Sequence, residues 1–357
     1  MHMSDALLSP VVGGAMLAVS AGAIGLAVKK TAQEETNNAN SEARNVLAVK
    51  IPLMGVMGAF VFAGQMINFT IPGTGSSGHI GGGILLAAVL GAGPALITLA
   101  GVLLIQCLFF ADGGLLAYGC NVFNMGVVSC MLAYTFIYKP ITRRALTKAT
   151  ITTGSILAVL AGLQAGAFAV VLETTLSGVT ELPFGVFVLL MQPIHLAIGL
   201  VEGIVTAAVL CYVHAARPEL LEMSIQGNTS GIDGKKIPLT RILITLAVLT
   251  VITAAGLSIF ASAYPDGLEW SIEKTAGTTE LEREGGVYDA AAGVVEKTAF
   301  MPDYGFKKPE GVEAEGSPAE TASAGIVGSI ITLALACGAG LLIHAASARR
   351  RRAVPAS

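Results

Sequence analysis

Long uncharged apolar stretches alternate with short polar segments along most of the chain. Nine stretches stand out, at about 6–28, 47–66, 80–92, 93–111, 118–138, 150–172, 185–213, 241–263 and 324–345. Most have the roughly 20 residues that a helix needs to cross the hydrocarbon core of a bilayer. The third is short and could merge with the fourth into one bent element near Gly91. The pattern predicts an all-α polytopic membrane protein.

Composition supports this prediction. Of the 357 residues, 54% are hydrophobic and only 13% are charged, and the mean hydropathy is +0.72. These values lie outside the range of ordinary soluble domains. The first stretch is not predicted to be a cleaved signal peptide, because Asp5 precedes it and its positive charges, Lys29 and Lys30, follow it.

Basic residues orient the predicted segments, since Lys and Arg concentrate in cytoplasmic loops. If the segments alternate, sixteen of the 21 basic residues fall on the same side. The other five lie within 264–323, whose length exempts it from this rule. The N-terminus is therefore predicted to lie outside the cell and the Arg-rich C-terminus in the cytoplasm.

The chain begins with Met1-His2, and a bulky second residue generally protects the initiator methionine from removal. The Met1 amine, the His2 backbone nitrogen and His2 Nδ1 can then close a five-membered and a six-membered ring around one metal ion. One equatorial position is left for a fourth nitrogen, and such a planar nitrogen set suits Ni(II) or Cu(II). The alternative is a chance histidine on a frayed terminus.

A loop rich in glycine between the second and third stretches carries one histidine, His79. Its Gly73-x-Gly75-x-x-Gly78 spacing matches a dinucleotide fingerprint, but the strand, amphipathic helix and acidic residue required by that site do not accompany it. Irregular backbone at membrane depth is tolerated inside protein or along a cavity. Because His79 is predicted to lie on the same face as His2, it is a candidate fourth ligand. The alternative is an ordinary hydrogen-bonding residue.

Polar residues within the apolar stretches are costly to place in lipid. His195 and Glu202 are seven residues apart, so that both can face the interior of a bundle. Hydrogen bonding between helices accounts for such residues, and the alternative is that they orient His2 or His79 from behind. The candidates for this supporting role are Asn68, Ser77, Asn124, His195 and Glu202.

Cysteine and small residues suggest packing. The five cysteines lie in or beside apolar stretches without Cys-x-x-Cys spacing, which predicts packing residues and not a disulfide framework or a thiolate site. Gly14, Ala18 and Gly22 recur every four residues, a spacing that favours close helix packing within the chain or docking of a partner membrane subunit.

The polar interval 215–240 is predicted to be a cytoplasmic linker that divides the chain in two. A seven-segment core, 1–214, precedes it, and a two-segment appendage, 241–357, follows it. The outward segment of the appendage, 264–323, is expected to be partly ordered at most. It contains no histidine or cysteine, so truncation after Ala215 is expected to leave metal affinity nearly unchanged and to reduce uptake.

Five patterns in the core resemble the CbiM/NikM substrate-binding components of energy-coupling-factor cobalt and nickel transporters. They cover about residues 1–214 and are Met1-His2, the 66–79 loop ending in Ser77-Gly78-His79, Asp112-Gly113-Gly114-Leu115, Asn121-Val122-Phe123-Asn124-Met125 and His195-x-x-Ile198-Gly199-x-x-Glu202. The segment from Tyr264 to Trp270 resembles the start of the PDGLE domain, which is related to the small NikN component. The whole chain thus resembles a NikMN fusion.

This resemblance implies a seven-helix bundle that takes the N-terminus into its centre. It implies a metal ion bound by the Met1 amine, the His2 amide and imidazole nitrogens, and the imidazole of His79. It also implies two partners in a prokaryotic cell membrane, a membrane coupling subunit of the CbiQ/NikQ type and an ATP-binding subunit of the CbiO/NikO type. The glycine pattern of 73–79 is shifted relative to the loop that is common in the family.

The sequence does not favour an enzyme, because it contains no phosphate-binding Gly-x-x-x-x-Gly-Lys-Ser/Thr loop and no HExxH motif. The predicted function is the metal-capturing subunit of an ATP-driven Ni(II) importer. The same role for Co(II), feeding cobalamin synthesis, stays open. A self-sufficient secondary permease would need a line of intramembrane carboxylates, for which Asp112, Glu173 and Glu202 are available. A membrane metal sensor lacks a cytoplasmic signalling domain, and no nucleic-acid partner is predicted.

Overall fold

The computed structural model describes residues 1–37, 46–226, 238–307 and 317–353. A 3₁₀ turn, Asp5–Leu7, precedes the helices of the core. These helices are α1 (Pro10–Asn37), α2 (Val46–Gln65), α3 (Gly83–Leu90), α4 (Ala92–Phe110), α5 (Tyr118–Asn121), α6 (Lys139–Arg144), α7 (Lys148–Ser177), α8 (Phe184–Ala216) and α9 (Pro218–Gln226). A π-helical stretch, Val122–Tyr138, joins α5 to α6.

The appendage contributes four more helices, α10 (Leu239–Val251), α11 (Gly267–Ala276), α12 (Val287–Thr298) and α13 (Pro318–Ala353). Short π-helical and 3₁₀ turns extend α10 to Phe260. Among the described residues, seven helices are long and apolar enough to cross a membrane: α1, α4, the 118–144 span, α7, α8, the 239–256 span and α13. The prediction of an all-α polytopic protein is confirmed.

Gly91 decides how the third and fourth apolar stretches are arranged. It ends α3 and begins α4 with φ of 86°, in the left-handed region that is open mainly to glycine. The two stretches are therefore separate helices.

The interval predicted as a linker contains part of the packed core. Leu220 and Leu221 of α9 are buried, and the Ser224 carbonyl accepts a hydrogen bond from the Tyr134 hydroxyl at 2.9 Å. Residues 227–237 of the predicted linker lie outside the described residues.

The appendage packs along the core through α13 and α2. A Cβ added at Gly328 would lie 2.0 Å from the Phe62 ring, and one at Gly55 would lie 2.4 Å from Cys337 Sγ. Glycine thus allows the two helices to approach closely, as small residues do between membrane helices. The Gly14 and Gly22 positions of α1, by contrast, face open space.

A short hairpin and the outer part of the appendage cover one end of the bundle. Strands β1 (Phe69–Ile71) and β2 (Ser76–Gly78) pair antiparallel, with Phe69 opposite Gly78. Helices α11 and α12 lie in the segment 264–323, which the sequence predicted to be partly ordered at most. Residues 308–316 of this segment lie outside the described residues.

Candidate metal site

The first residues of the chain run into the bundle. Met3 is fully buried, and Asn121 holds its backbone twice, with Oδ1 accepting from Met3 N at 2.7 Å and Nδ2 donating to Met3 O at 3.2 Å. Gly114 N donates to the same carbonyl at 2.9 Å. The N-terminal arm, residues 1–8, is therefore held inside the bundle by backbone hydrogen bonds at Met3.

The Asp112–Leu115 turn forms the cradle for this arm. Asp5 Oδ1 accepts a hydrogen bond from Ala117 N at 3.0 Å, and a Cβ at Gly114 would lie 1.8 Å from that same Oδ1. No larger residue fits at position 114 while Asp5 keeps its place. This explains why the turn carries glycine beside the arm.

The structure brings His2 and His79 together. Their rings stack with centroids 5.2 Å apart and planes 8° apart, and their side chains are 8% and 9% exposed. His79 follows β2, and a Cβ at Gly78 would meet Ile198 of α8 at 2.4 Å. The absence of a side chain at Gly78 therefore lets the hairpin bring His79 against the core.

His79 has the protonation state that a metal ligand needs. Burial lowers its pKa to about 3, aided by the positive charges of the Met1 amine and His2. The imidazole is thus neutral at physiological pH. Its Nδ1 lies 3.1 Å from the Ile80 carbonyl, an arrangement that places the proton on Nδ1 and leaves the Nε2 lone pair free.

Two nitrogen atoms of the predicted chelate are paired with carboxylates in the structure. Asp266 Oδ2 lies 2.9 Å from the Met1 amine, and Asp112 Oδ1 lies 3.1 Å from His2 Nδ1. The second oxygen of Asp112 accepts from the Tyr304 hydroxyl at 2.5 Å. A metal ion that takes both nitrogens must exchange these contacts.

Both carboxylates are ionised despite their surroundings. Burial raises the pKa of each, but the charge and hydrogen bond of the Met1 amine outweigh it at Asp266, whose pKa falls below its usual range. At Asp112 the charge and hydrogen bond of His2, with the hydrogen bond of Tyr304, lower the pKa to about 2. The site thus holds two negative charges that can balance a divalent cation.

Glu202 and His195 stand behind the His79 loop. The two Glu202 carboxyl oxygens accept from Gly81 N and Gly82 N, each at 2.8 Å, just after His79 in the chain. His195 Nδ1 lies 2.8 Å from the Met191 carbonyl of its own helix. His195 also lines a small cavity that it shares with Met1, His79 and Asp266.

The other three supporting candidates contact different parts of the site. Asn124 donates to Glu173 Oε2 at 2.7 Å and lies 3.6 Å from Met3 Sδ, which places it against the arm. The Asn68 carbonyl accepts from Ser262 N at 2.6 Å, and Ser77 Oγ donates to the Tyr264 carbonyl at 2.7 Å. Asn68 and Ser77 therefore join the His79 loop to the appendage.

The appendage residues at the site were missed by reasoning from the sequence. The sequence predicted that the appendage leaves metal affinity nearly unchanged, and it placed no residue of the appendage at the site. In the structure Asp266, Tyr288 and Tyr304 contact the arm or its cradle, and the Tyr288 hydroxyl donates to Leu8 O at 2.7 Å. These contacts favour a contribution of the appendage to metal affinity instead. One local signal was present. The Asp266-x-x-Glu269 spacing forms a capping box at the start of α11, which fixes where the Asp266 side chain points.

In the observed arrangement, with Asp266 against the Met1 amine and Asp112 against His2, no group of three or more His, Cys, Asp or Glu side chains among the described residues is arranged to hold a metal ion. Two of the four nitrogens in the predicted set belong to the main chain of Met1 and His2. Only His2 and His79 contribute side-chain ligands to that set.

Comparisons with known proteins point to metal transport. Residues 2–220 match the family described as the cobalt uptake substrate-specific transmembrane region, CbiM, and residues 240–345 match the PDGLE domain. An Archaeoglobus fulgidus protein whose name is that of a fused nickel transport protein, NikMN, is 32% identical over 94% of this chain and 96% of its own length.

Two further matches cover less of the chain. The cobalt transport protein CbiM of Geobacter sulfurreducens is 28% identical over 77% of this chain and 78% of its own length. A crystal structure of a transition metal transporter is 29% identical with a TM-score of 0.50, and it covers 64% of this chain and 100% of its own.

Proposed function

This chain belongs to the CbiM family of substrate-specific transmembrane proteins and carries a PDGLE domain behind that core, as NikMN fusions do, and we propose that it captures Ni(II) for an ATP-driven importer. It is a multi-pass membrane transport protein and not an enzyme. The selection of nickel, the energy source and the ligand set are the parts that we propose.

The observation that supports the proposal is the convergence of Met1, His2 and His79. The cradle and Asn121 hold the arm from one side, and Glu202 holds the His79 loop from the other. Both imidazoles and the terminal amine are buried together. We propose that Ni(II) is bound by the Met1 amine, the His2 amide nitrogen, His2 Nδ1 and His79 Nε2.

Nitrogen ligands of this kind suit Ni(II), and a relative named for nickel transport is similar to this chain over 94% of its length, the appendage included. Co(II) is the second candidate because a CbiM protein named for cobalt transport is also similar to the chain. A self-sufficient permease finds less support. Glu173 and Glu202 are bound to Asn124 and to the glycines of the loop, and so they do not form a row of carboxylates along a path.

We propose two partners, a membrane coupling subunit of the CbiQ/NikQ type and an ATP-binding subunit of the CbiO/NikO type, since the chain itself has no phosphate-binding loop. We also propose that the metal site faces the outside of a prokaryotic cell membrane. The distribution of Lys and Arg among the loops supports this orientation.

The test is isothermal titration of Ni(II) into the full chain, tagged at its C-terminus and checked by mass spectrometry for a free Met1. One additional residue before Met1 should abolish tight binding without loss of folded protein, because it removes the amine from the chelate. An extended protein that still binds nickel stoichiometrically would contradict the ligand set.

Substitutions of the histidines divide the site further. His79→Ala removes one ligand and should weaken binding about 10- to 100-fold, and His2→Gln should cost more because it opens a chelate ring. His344→Gln is the matched control, since His344 is paired with Glu35 near the C-terminal end of α1. If all three substitutions changed nickel affinity equally and negligibly, His2 and His79 would be ordinary packing residues and not ligands.

A further inference from the structure

The appendage places one carboxylate oxygen between two of the proposed nickel ligands. Asp266 Oδ2 lies 2.9 Å from the Met1 amine and 3.9 Å from His79 Nε2. The side chain is 14% exposed, and it lines the same cavity as Met1, His79 and His195. This oxygen therefore faces the space in which the amine and the imidazole meet.

The other oxygen of Asp266 is occupied in the fold. Oδ1 accepts from Leu268 N at 2.7 Å and from Glu269 N at 2.9 Å, and so it caps the N-terminus of α11. This division fixes the rotation of the carboxylate, because the capping bonds hold Oδ1 at the helix. Oδ2 is left for the site.

The position of Asp266 is set by direct bonds between the PDGLE segment and the His79 loop. Ser77 N donates to the Pro265 carbonyl at 2.8 Å, and Trp270 Nε1 donates to the Thr74 carbonyl at 3.0 Å. Gly267 also comes close to α8, since a Cβ there would lie 3.0 Å from His195 Cε1. The loop that carries His79 and the segment that carries Asp266 therefore form one packed unit.

The distances from Oδ2 decide how far it must move to share an ion with these nitrogens. A fifth donor above a planar set of four nitrogens stands at right angles to each of them, and with bonds of roughly 2.1 Å it lies about 3 Å from each. The separation of Oδ2 from the amine, 2.9 Å, matches this value. The separation of Oδ2 from His79 Nε2, 3.9 Å, must shorten by about 0.9 Å when the ion binds.

We propose that Asp266 Oδ2 is a fifth ligand of the transported ion, donated by the PDGLE appendage to the site of the core. The inference rests on the proposed function, and it adds an anionic oxygen to the four nitrogens. Binding of the ion displaces one proton from the amine and one from the His2 amide to solvent, and Oδ2 exchanges its contact with the ammonium group for one with the metal. The added oxygen also supplies negative charge to a buried cation, which needs such compensation.

Three variants of the full chain test this ligand. Asp266→Asn removes the negative charge, and Asp266→Ser shortens the side chain so that it no longer reaches the amine. Asn and Ser are both good helix N-caps, so that α11 keeps its cap. Asp289→Asn is the matched control, because Asp289 is an exposed carboxylate of the same appendage that accepts from Gly285 N at 2.9 Å. Each protein is titrated with Ni(II) chloride, and the nickel-loaded forms are compared by X-ray absorption.

Both Asp266 variants should bind nickel about 10- to 100-fold more weakly than wild type, and the control should match wild type. The wild-type spectrum should be that of five-coordinate nickel, and the variants should gain the pre-edge feature of a planar four-coordinate ion. Equal affinities would overturn the proposal. Weaker binding with planar spectra in wild type and variants would also overturn it, since Asp266 would then act only by positioning the amine. A wild-type chain that binds neither Ni(II) nor Co(II) would instead contradict the proposed function.

Discussion

Glu202 offers a test of how the His79 loop is held. Its carboxyl group lies on α8 and accepts from two successive loop amides, Gly81 N and Gly82 N. It is 3% exposed, so water does not readily replace it when it is removed. Glu202→Ala leaves both amides without this acceptor and should release the loop from α8.

The magnitude follows from these two bonds. A hydrogen bond to a charged group contributes about 1.5–3 kcal/mol, so that losing both costs about 3–6 kcal/mol. Glu202→Gln keeps one acceptor oxygen and should cost about half as much. A change of about 1.4 kcal/mol corresponds to a tenfold change in affinity. If half of the lost free energy is needed to order the loop when nickel binds, Glu202→Ala should weaken nickel binding about 10- to 100-fold.

The assay combines nickel titration with hydrogen exchange of the loop amides. Glu202→Ala should show weaker binding and faster exchange at residues 79–83, with Glu202→Gln intermediate. Glu181→Gln, a change at an exposed position before α8, should match wild type in both. If Glu202→Ala lowered thermal stability but bound nickel within about twofold of wild type, the argument that Glu202 positions His79 would be refuted.

Three further outcomes are expected. Gly114→Ala should displace the arm, because its Cβ would lie 1.8 Å from Asp5 Oδ1, and such overpacking costs about 1–3 kcal/mol; thermal melting and nickel titration would show the loss, and Gly14→Ala, in open space, should show neither. The metal-free protein should lose stability as pH falls from about 6.5 towards 3, since His79 has its pKa lowered to about 3 in the fold and takes up a proton on unfolding. Melting temperatures at pH 7 and 5 should therefore differ less in His79→Gln, and an unchanged difference would show that His79 is not buried in its neutral form. Truncation after Gln226 removes the Asp266 carboxylate beside the Met1 amine and should weaken nickel binding. An unchanged nickel affinity in titration would show that the core alone forms the site.

Much of the architecture was predictable, because membrane spans depend on local composition. Each of the nine apolar stretches contains a helix. In the seven described helices that are long enough to cross a membrane, lipid requires every backbone group to be bonded within its own segment. The meeting of His2 and His79 was also predicted, partly from the shared face and partly from the family resemblance. Both rest on residues that the sequence displays directly.

Partners that depend on packing were not predictable in the same way. Nothing near Glu202 identifies Gly81 and Gly82 as its partners, because 120 residues separate Glu202 from Gly82 along the chain. The separation of α3 from α4 was open until the backbone at Gly91 was known. In each case several partners or arrangements are chemically equivalent in the sequence, and the close packing of helices selects one of them.

The appendage shows this division most clearly. Local sequence patterns specify two apolar helices and a polar, acidic segment after the core, and they allow Asp266 to cap a helix with Glu269. The contact of the other Asp266 oxygen with the Met1 amine, 265 positions away, depends on tertiary packing. A local pattern specifies how a side chain leaves its own helix. Which charge it then faces depends on how α13 and α11 pack against the core, since burial makes an unpaired carboxylate too costly to leave without a partner.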